Sequence, residues 1–213
     1  MNEKELEIFE SNLDEETLKA MEEALNAVEE DSNREKSEEE LLARFIQKTT
    51  REEKLVALNA VALAPPEGVS RENVKKILRN MENSEFFADI KSVKGIKDTY
   101  FYDTNKMTDH FAVVQASIQD KNILSAIANA VRHDCKTYPR PVSMKSLKEN
   151  PYFYSDDEIL GAIARMKFDE NYKDIDVVTA SNGNMCFYSS LYMSKVYAQA
   201  LCEQIEVEWV NCL

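Results

Sequence analysis

The apolar positions of this chain fall into short blocks whose period changes from helical to alternating and back, and the cycle runs twice. Leu41-Leu42 and Phe45-Ile46 predict a helix over about 38–48, and Ile123-Leu124, Ile127 and Ala130-Val131 predict one over about 122–134. Looser helical patterns follow at about 52–63 and 142–149. Third helices are expected at about 71–82 and 156–167, where Val74, Leu78 and Met81 are answered by Ile159, Ile163 and Met166. The period then drops to two. Ile90 to Val93 and Ile96 to Tyr102 flank Lys94-Gly95, while Ile175 to Ala180 and Met185 to Tyr188 flank Ser181-Asn182-Gly183-Asn184. Asn-Gly is the strongest short hairpin signal, because its residues tolerate positive φ. A fourth helix closes each cycle, near 107–119 and 193–205.

The echo extends to individual residues. At an offset of 85, Pro66 meets Pro151, Ala43 meets Ala128, Glu85 meets Glu170 and Asp89 meets Asp174. One inserted residue between 90 and 101 raises the offset to 86, and FYDTNKMTDHFAV (101–113) then falls on FYSSLYMSKVYAQ (187–199). The Phe-Tyr pairs are expected on the second strand, alternating between core and surface. Met and the aromatic-Ala pair are expected on the fourth helix, packed back on the first. Ser70 and Ser155 each follow a proline-containing loop and precede a helical pattern, so both read as N-caps. Val69 with Val74, and Tyr154 with Ile159, have the spacing of a hydrophobic staple, and Glu158 completes a capping box where the first copy has Asn73.

Three helices, a hairpin and a closing helix in about 85 residues resemble the winged-helix family, a helix-turn-helix with a β-wing. The resemblance spans about 37 to 206 as two tandem copies, and rests on element order and hairpin placement. It implies a mostly α, α+β fold with a first winged-helix repeat (37–121) and a second with a C-terminal tail (122–213), and the sequence places an acidic helical arm (1–36) before them. It also implies a third helix offered to the DNA major groove and a wing near the backbone, although many winged helices bind proteins instead.

Charge changes this picture in one place. The net charge is −13, but residues 1–40 carry 16 acidic and 4 basic side chains, leaving 23 and 22 for the remainder. The acidity belongs to the arm. Leu6, Phe9, Leu13, Leu18, Met21, Leu25 and Val28 give it partial helical periodicity, and three roles stay open: packing on the repeats, dimerisation, or covering a basic face as a DNA mimic. Residues 31–36 read as a linker. The acidic N-terminus lacks the apolar core of a signal peptide, and no apolar run nears the ~20 residues that span a bilayer, so a cytoplasmic protein without membrane contact is expected. Cys135, Cys186, Cys202 and Cys212 show no CxxC spacing and read as reduced, buried thiols. His110 and His133 read as solvated or capping side chains rather than zinc ligands.

Candidate chemistry is sparse. GxSxG, HExxH, Walker and GxGxxG signatures are absent, and Asp156-Asp157-Glu158 fits a first helical turn favoured by the dipole. A non-enzymatic protein without cofactor or metal is expected. In the first copy, Arg71, Lys75 and Arg79 recur at i, i+4, i+8 with Lys76 beside them, and the wing adds Lys91, Lys94 and Lys97. A basic helix and a basic wing suit phosphate contact, since each neutralised phosphate releases counterions. The second copy has an acidic third-helix start and an uncharged wing from Thr179 to Asn184, with Arg165 and Lys167 late in the helix and Lys136, Arg140, Lys145 and Lys148 around its second helix. The expectation is a DNA-associated regulator contacting duplex DNA through repeat 1. The alternative is a protein-binding adaptor without DNA contact. A protein partner or homodimer is expected, with the arm and the apolar tail (Ile205, Val207, Trp209, Val210, Leu213) as candidate dimer surfaces.

Overall fold

Glu38, Glu39 and Glu40 open a helix whose last turn holds Lys48 and Arg51, charges placed to favour its dipole. This is α1 (Glu38–Arg51), the first element of a computed structural model that describes residues 36–208. The expectations for the acidic arm, for most of the 31–36 linker, for Cys212 and for the tail from Trp209 onward lie outside those residues.

After α1 come β1 (Val56–Ala57), α2 (Leu58–Leu63), α3 (Val74–Glu82), β2 (Ile90–Lys94), β3 (Thr99–Asp103) and α4 (Asp109–Gln119). The second half runs α5 (Ile123–Thr137), β4 (Val142–Ser143), a 3₁₀ turn (Ser146–Lys148), α6 (Asp156–Met166), β5 (Ile175–Thr179), β6 (Met185–Ser189), α7 (Lys195–Glu203) and a closing π turn (Gln204–Glu208). The described residues are therefore α+β, with seven α-helices and two three-stranded antiparallel sheets.

The sheets repeat one pairing scheme, β1-β3-β2 and β4-β6-β5. Val56 lies opposite Phe101 as Val142 lies opposite Phe187, and Ile90 lies opposite Asp103 as Ile175 lies opposite Ser189. The inserted residue sits in the second hairpin loop, which spans 180–184 where the first spans 95–98. Even the anchor between first helix and central strand recurs. The Asp103 N–H donates to Thr50 Oγ1 (3.1 Å), and the Ser189 N–H donates to Cys135 Sγ (3.4 Å).

Four expectations are corrected. The strands β1 and β4 occupy ground assigned to second helices, and in the second half only a 3₁₀ turn remains of that helix. Two residues carry no alternation to read, and their partners lie more than 40 residues away. The Phe-Tyr pairs do not alternate with solvent: Tyr100, Phe101, Tyr102 and Asp103 are all buried, as are Cys186, Phe187, Tyr188 and Ser189. β3 and β6 are central strands covered on both faces. Phe101 joins the cluster of Leu42, Ile46, Ile77 and Leu78 from α1 and α3, whereas Tyr100 and Tyr102 join Met107, Ala112 and Ala116. It follows that α4 packs on the far face of the sheet, not back on α1.

The fourth correction concerns Ser70. Ser155 caps α6 with the full capping box: its hydroxyl accepts from the Glu158 N–H, and Glu158 accepts from the Ser155 N–H at 2.9 Å. Ser70 forms no such cap, because 71–73 are a turn and α3 starts only at Val74. The first copy lacks a carboxylate at the Glu158 position, and α1 supplies one instead. Glu38 accepts from the Ser70 N–H (3.0 Å) and from Asn73 Nδ2 (2.7 Å), so a local bond in one half is a tertiary bond in the other.

The two hairpin glycines are needed for different reasons. Gly183 has φ +88°, while Asn182 beside it stays out of the left-handed region. Gly95 has no such φ; a Cβ there would lie 2.5 Å from the Asp120 carboxylate and 2.6 Å from the Tyr100 ring.

Candidate nucleic-acid interface

Val74, Ile77, Leu78 and Met81 form the buried stripe of α3, which leaves Lys75, Lys76 and Arg79 outside, with Arg71 in the turn before it. Alternation along β2 divides the remaining lysines. Ile90 faces the α3 cluster, and Ser92 on the same side donates its hydroxyl to Glu82 of α3. Lys94 shares that side by period. Lys91 and Val93 face α4 instead, where Lys91 Nζ lies 3.3 Å from Asp109 Oδ2. The sequence reading placed Lys91 with the others; strand geometry sets it on the opposite side of the sheet. Lys97 is exposed in the loop after β2. Among the described residues, Lys91 alone of the seven pairs with a carboxylate.

Asp109 anchors the far side. It accepts from Tyr102 Oη (2.9 Å), and that bond, helped by Lys91, lowers its pKa below the usual carboxylate range. Burial, with the Asp109 bond, pushes the Tyr102 phenol well up.

The loop between β2 and β3 is held by Asp120, just beyond α4. Its buried carboxylate accepts from the Ile96 N–H, from the Lys97 N–H (3.3 Å) and from Tyr100 Oη (2.6 Å). Burial and then this carboxylate push the Tyr100 phenol strongly up. The loop so held presents Ile96, 76% exposed, between Lys94 and Lys97. Backbone pinning of this kind fixes where the two ammonium groups start, a condition for repeatable contact with a phosphate chain.

In the second half Lys136, Lys145, Arg165 and Lys167 are exposed without a carboxylate partner among the described residues, whereas other cations are paired. Arg140 Nε pairs with Asp134 (2.9 Å), Lys148 with Asp156 (2.7 Å), and Arg132 with Asp174. Burial alone would raise the Asp174 pKa, but the bonds from Arg132 and Ser189 outweigh it and the net shift is downward. The second hairpin loop is fastened by Glu203 and Glu206: Ser181 donates to Glu203, Asn184 Nδ2 to Glu206 (2.9 Å) and Asn182 Nδ2 to the Glu206 carbonyl (2.8 Å).

Sequence reasoning missed Asp120, Glu206 and Glu38, whose partners are 20 or more residues distant. One signal was present: Asp120 and Glu206 stand at the same 86-residue offset as the aromatic strands. The histidines were also misplaced. Rather than solvated or capping groups, His110 of α4 and His133 of α5 stack with ring centroids 3.5 Å apart. Burial first, and then His133, lowers the His110 pKa to about 4. Cys135, Cys186 and Cys202 are buried free thiols, and burial raises all three. Among the described residues no group of three or more His, Cys, Asp or Glu side chains could hold a metal ion, and no helix is long and apolar enough to cross a membrane.

The family model described as the YdhW C-terminal domain matches residues 120–210, the stretch from Asp120 through α7. The chain is also 37% identical over 169 residues to "Uncharacterized protein YdhW" of Escherichia coli K12, an alignment covering 79% of this chain and 78% of that protein.

Proposed function

The chain belongs to the YdhW family, and on that premise we propose that it is a non-enzymatic tandem winged-helix protein whose first repeat contacts double-stranded DNA. Two repetitions of helix, strand, helical segment, helix and hairpin, with the wing strands paired to a short first strand, support the winged-helix reading. The observation that carries the function is the set of cations on one side of the first repeat: Arg71, Lys75, Lys76, Arg79 and Lys94 are exposed and have no carboxylate partner among the described residues.

Unpaired cations fixed to a helix and a pinned wing gain by releasing counterions from DNA, and this term is independent of sequence. The second repeat, where Arg132 and Arg140 are committed to internal carboxylates, serves as the non-reading half. Titrating a labelled mixed-sequence duplex with the full-length protein tests the proposal. Binding that weakens steeply with added salt supports it. Absence of binding even at low salt overturns it and favours the protein-binding adaptor.

A further inference from the structure

The equivalent helices α4 and α7 have outer faces in different surroundings. On α4 that face meets α5. His110 stacks on His133, the Ser117 and Ser125 hydroxyls lie 3.1 Å apart, Asn129 donates to Ser117 at 3.4 Å, and Val114 between them is 1% exposed. The same positions on α7, 86 residues on, are Val196, Ala200 and Glu203. Here Val196 is 82% exposed, Tyr197 50%, and Leu191 in the preceding loop 66%. Apolar side chains grouped on one face, unlike those scattered singly, mark a contact surface.

We propose that this face is a dimer interface whose occupant is α7 of a second copy, related by a two-fold axis. Charge decides between the two ways that copies could meet. A head-to-tail contact repeating the α4–α5 packing would use α1, the counterpart of α5. That contact would set Val196 and Ala200 against Glu40, Arg44 and Lys48, the α1 equivalents of Ser125, Asn129 and His133. Covering charged groups with apolar surface is unfavourable. A two-fold contact sets Val196, Tyr197 and Ala200 against themselves. With the helices antiparallel, Lys195 at the start of one α7 reaches Glu203 at the end of the other, a cation beside a carboxylate at both ends. One helix and a loop make a small interface, so association is weak, with a dissociation constant of roughly micromolar order.

Sedimentation velocity of the full chain from roughly 1 to 200 μM tests this, a range bracketing that affinity. The expected result is a concentration-dependent shift from monomer to dimer. Val196→Glu abolishes it without changing the thermal melt, since the side chain already faces solvent. Lys195→Glu weakens it by roughly ten-fold, the size of one lost interfacial ion pair turned repulsive. A monomer throughout the range, or a dimer that Val196→Glu leaves intact, overturns the proposal.

Discussion

Asp120 and Glu206 stand 86 residues apart in sequence and hold the loops of the two hairpins from equivalent positions just beyond α4 and α7. Both carboxylates are buried and both are used up by hydrogen bonds from the loop or the adjoining strand: Asp120 from Ile96, Lys97 and Tyr100, Glu206 from Ser143 and Asn184. The two hairpin loops are therefore parts of the packed body.

Removing the first clamp should show this. Asp120→Ala leaves the Tyr100 hydroxyl and two loop N–H groups without their acceptor, and a loss of about 2–4 kcal/mol is expected from the desolvation of those groups. Urea unfolding monitored by circular dichroism measures it. A loss below 0.5 kcal/mol, the scatter of surface substitutions, would mean that the β2–β3 loop does not depend on Asp120.

The two serines should behave differently despite their matching positions. Ser155→Ala removes a capping hydroxyl and should cost about 1 kcal/mol. Ser70→Ala should cost only a few tenths, because what counts there is the backbone N–H. Glu38→Ala removes the acceptor of that N–H and should exceed Ser70→Ala, at about 0.5–1.5 kcal/mol. Thermal melts of the three variants rank them, and equal losses for both serines would contradict the assigned caps.

These cases mark what the chain states locally. Ser155 with Glu158 is a complete signal within four residues, and it is read correctly. Ser70 with Asn73 gives half of that signal, and its missing half, Glu38, is supplied by a helix 32 residues away. The helices α3, α5 and α6 show in the apolar period because their buried stripes are regular, and both hairpins show through Gly95 and Asn182-Gly183 standing between apolar runs. β1 and β4 do not, since two residues have no period. The cationic set on α3 is likewise a surface pattern visible at helical spacing. That Lys91 parts from Lys94 depends on which face of β2 meets which helix, and only the packed sheet decides that.

The histidine stack makes stability depend on pH. Half-buried and stacked on His133, His110 takes up a proton only near pH 4, whereas an unfolded chain takes it up near 6.5. The unfolded state thus binds more protons between those values, and stability falls as pH drops through that window. From pH 7 to pH 5 the expected loss is about 1–2 kcal/mol after allowance for partial solvation. Carboxylates with lowered pKa values, such as Asp109 and Asp174, lose their contribution progressively below about pH 5, so the window from pH 7 to 5 isolates the histidine. Urea midpoints at pH 7 and 5 for wild type and His110→Phe test this: the variant should lose most of the difference, and an unchanged difference would place the titrating group elsewhere.

The DNA proposal is tested most directly by the salt dependence of duplex affinity in a quadruple variant, Lys75→Ala, Lys76→Ala, Arg79→Ala and Lys94→Ala, compared with Lys91→Ala. Each phosphate contact contributes about 0.9 to the slope of log affinity against log salt, so the quadruple variant should lose about three to four from that slope and at least ten-fold in affinity near 100 mM salt. Lys91→Ala, on the far side of the sheet and already paired with Asp109, should change neither by more than about two-fold. Equal slopes for the wild type and the quadruple variant, or a larger loss from Lys91→Ala, would contradict the account.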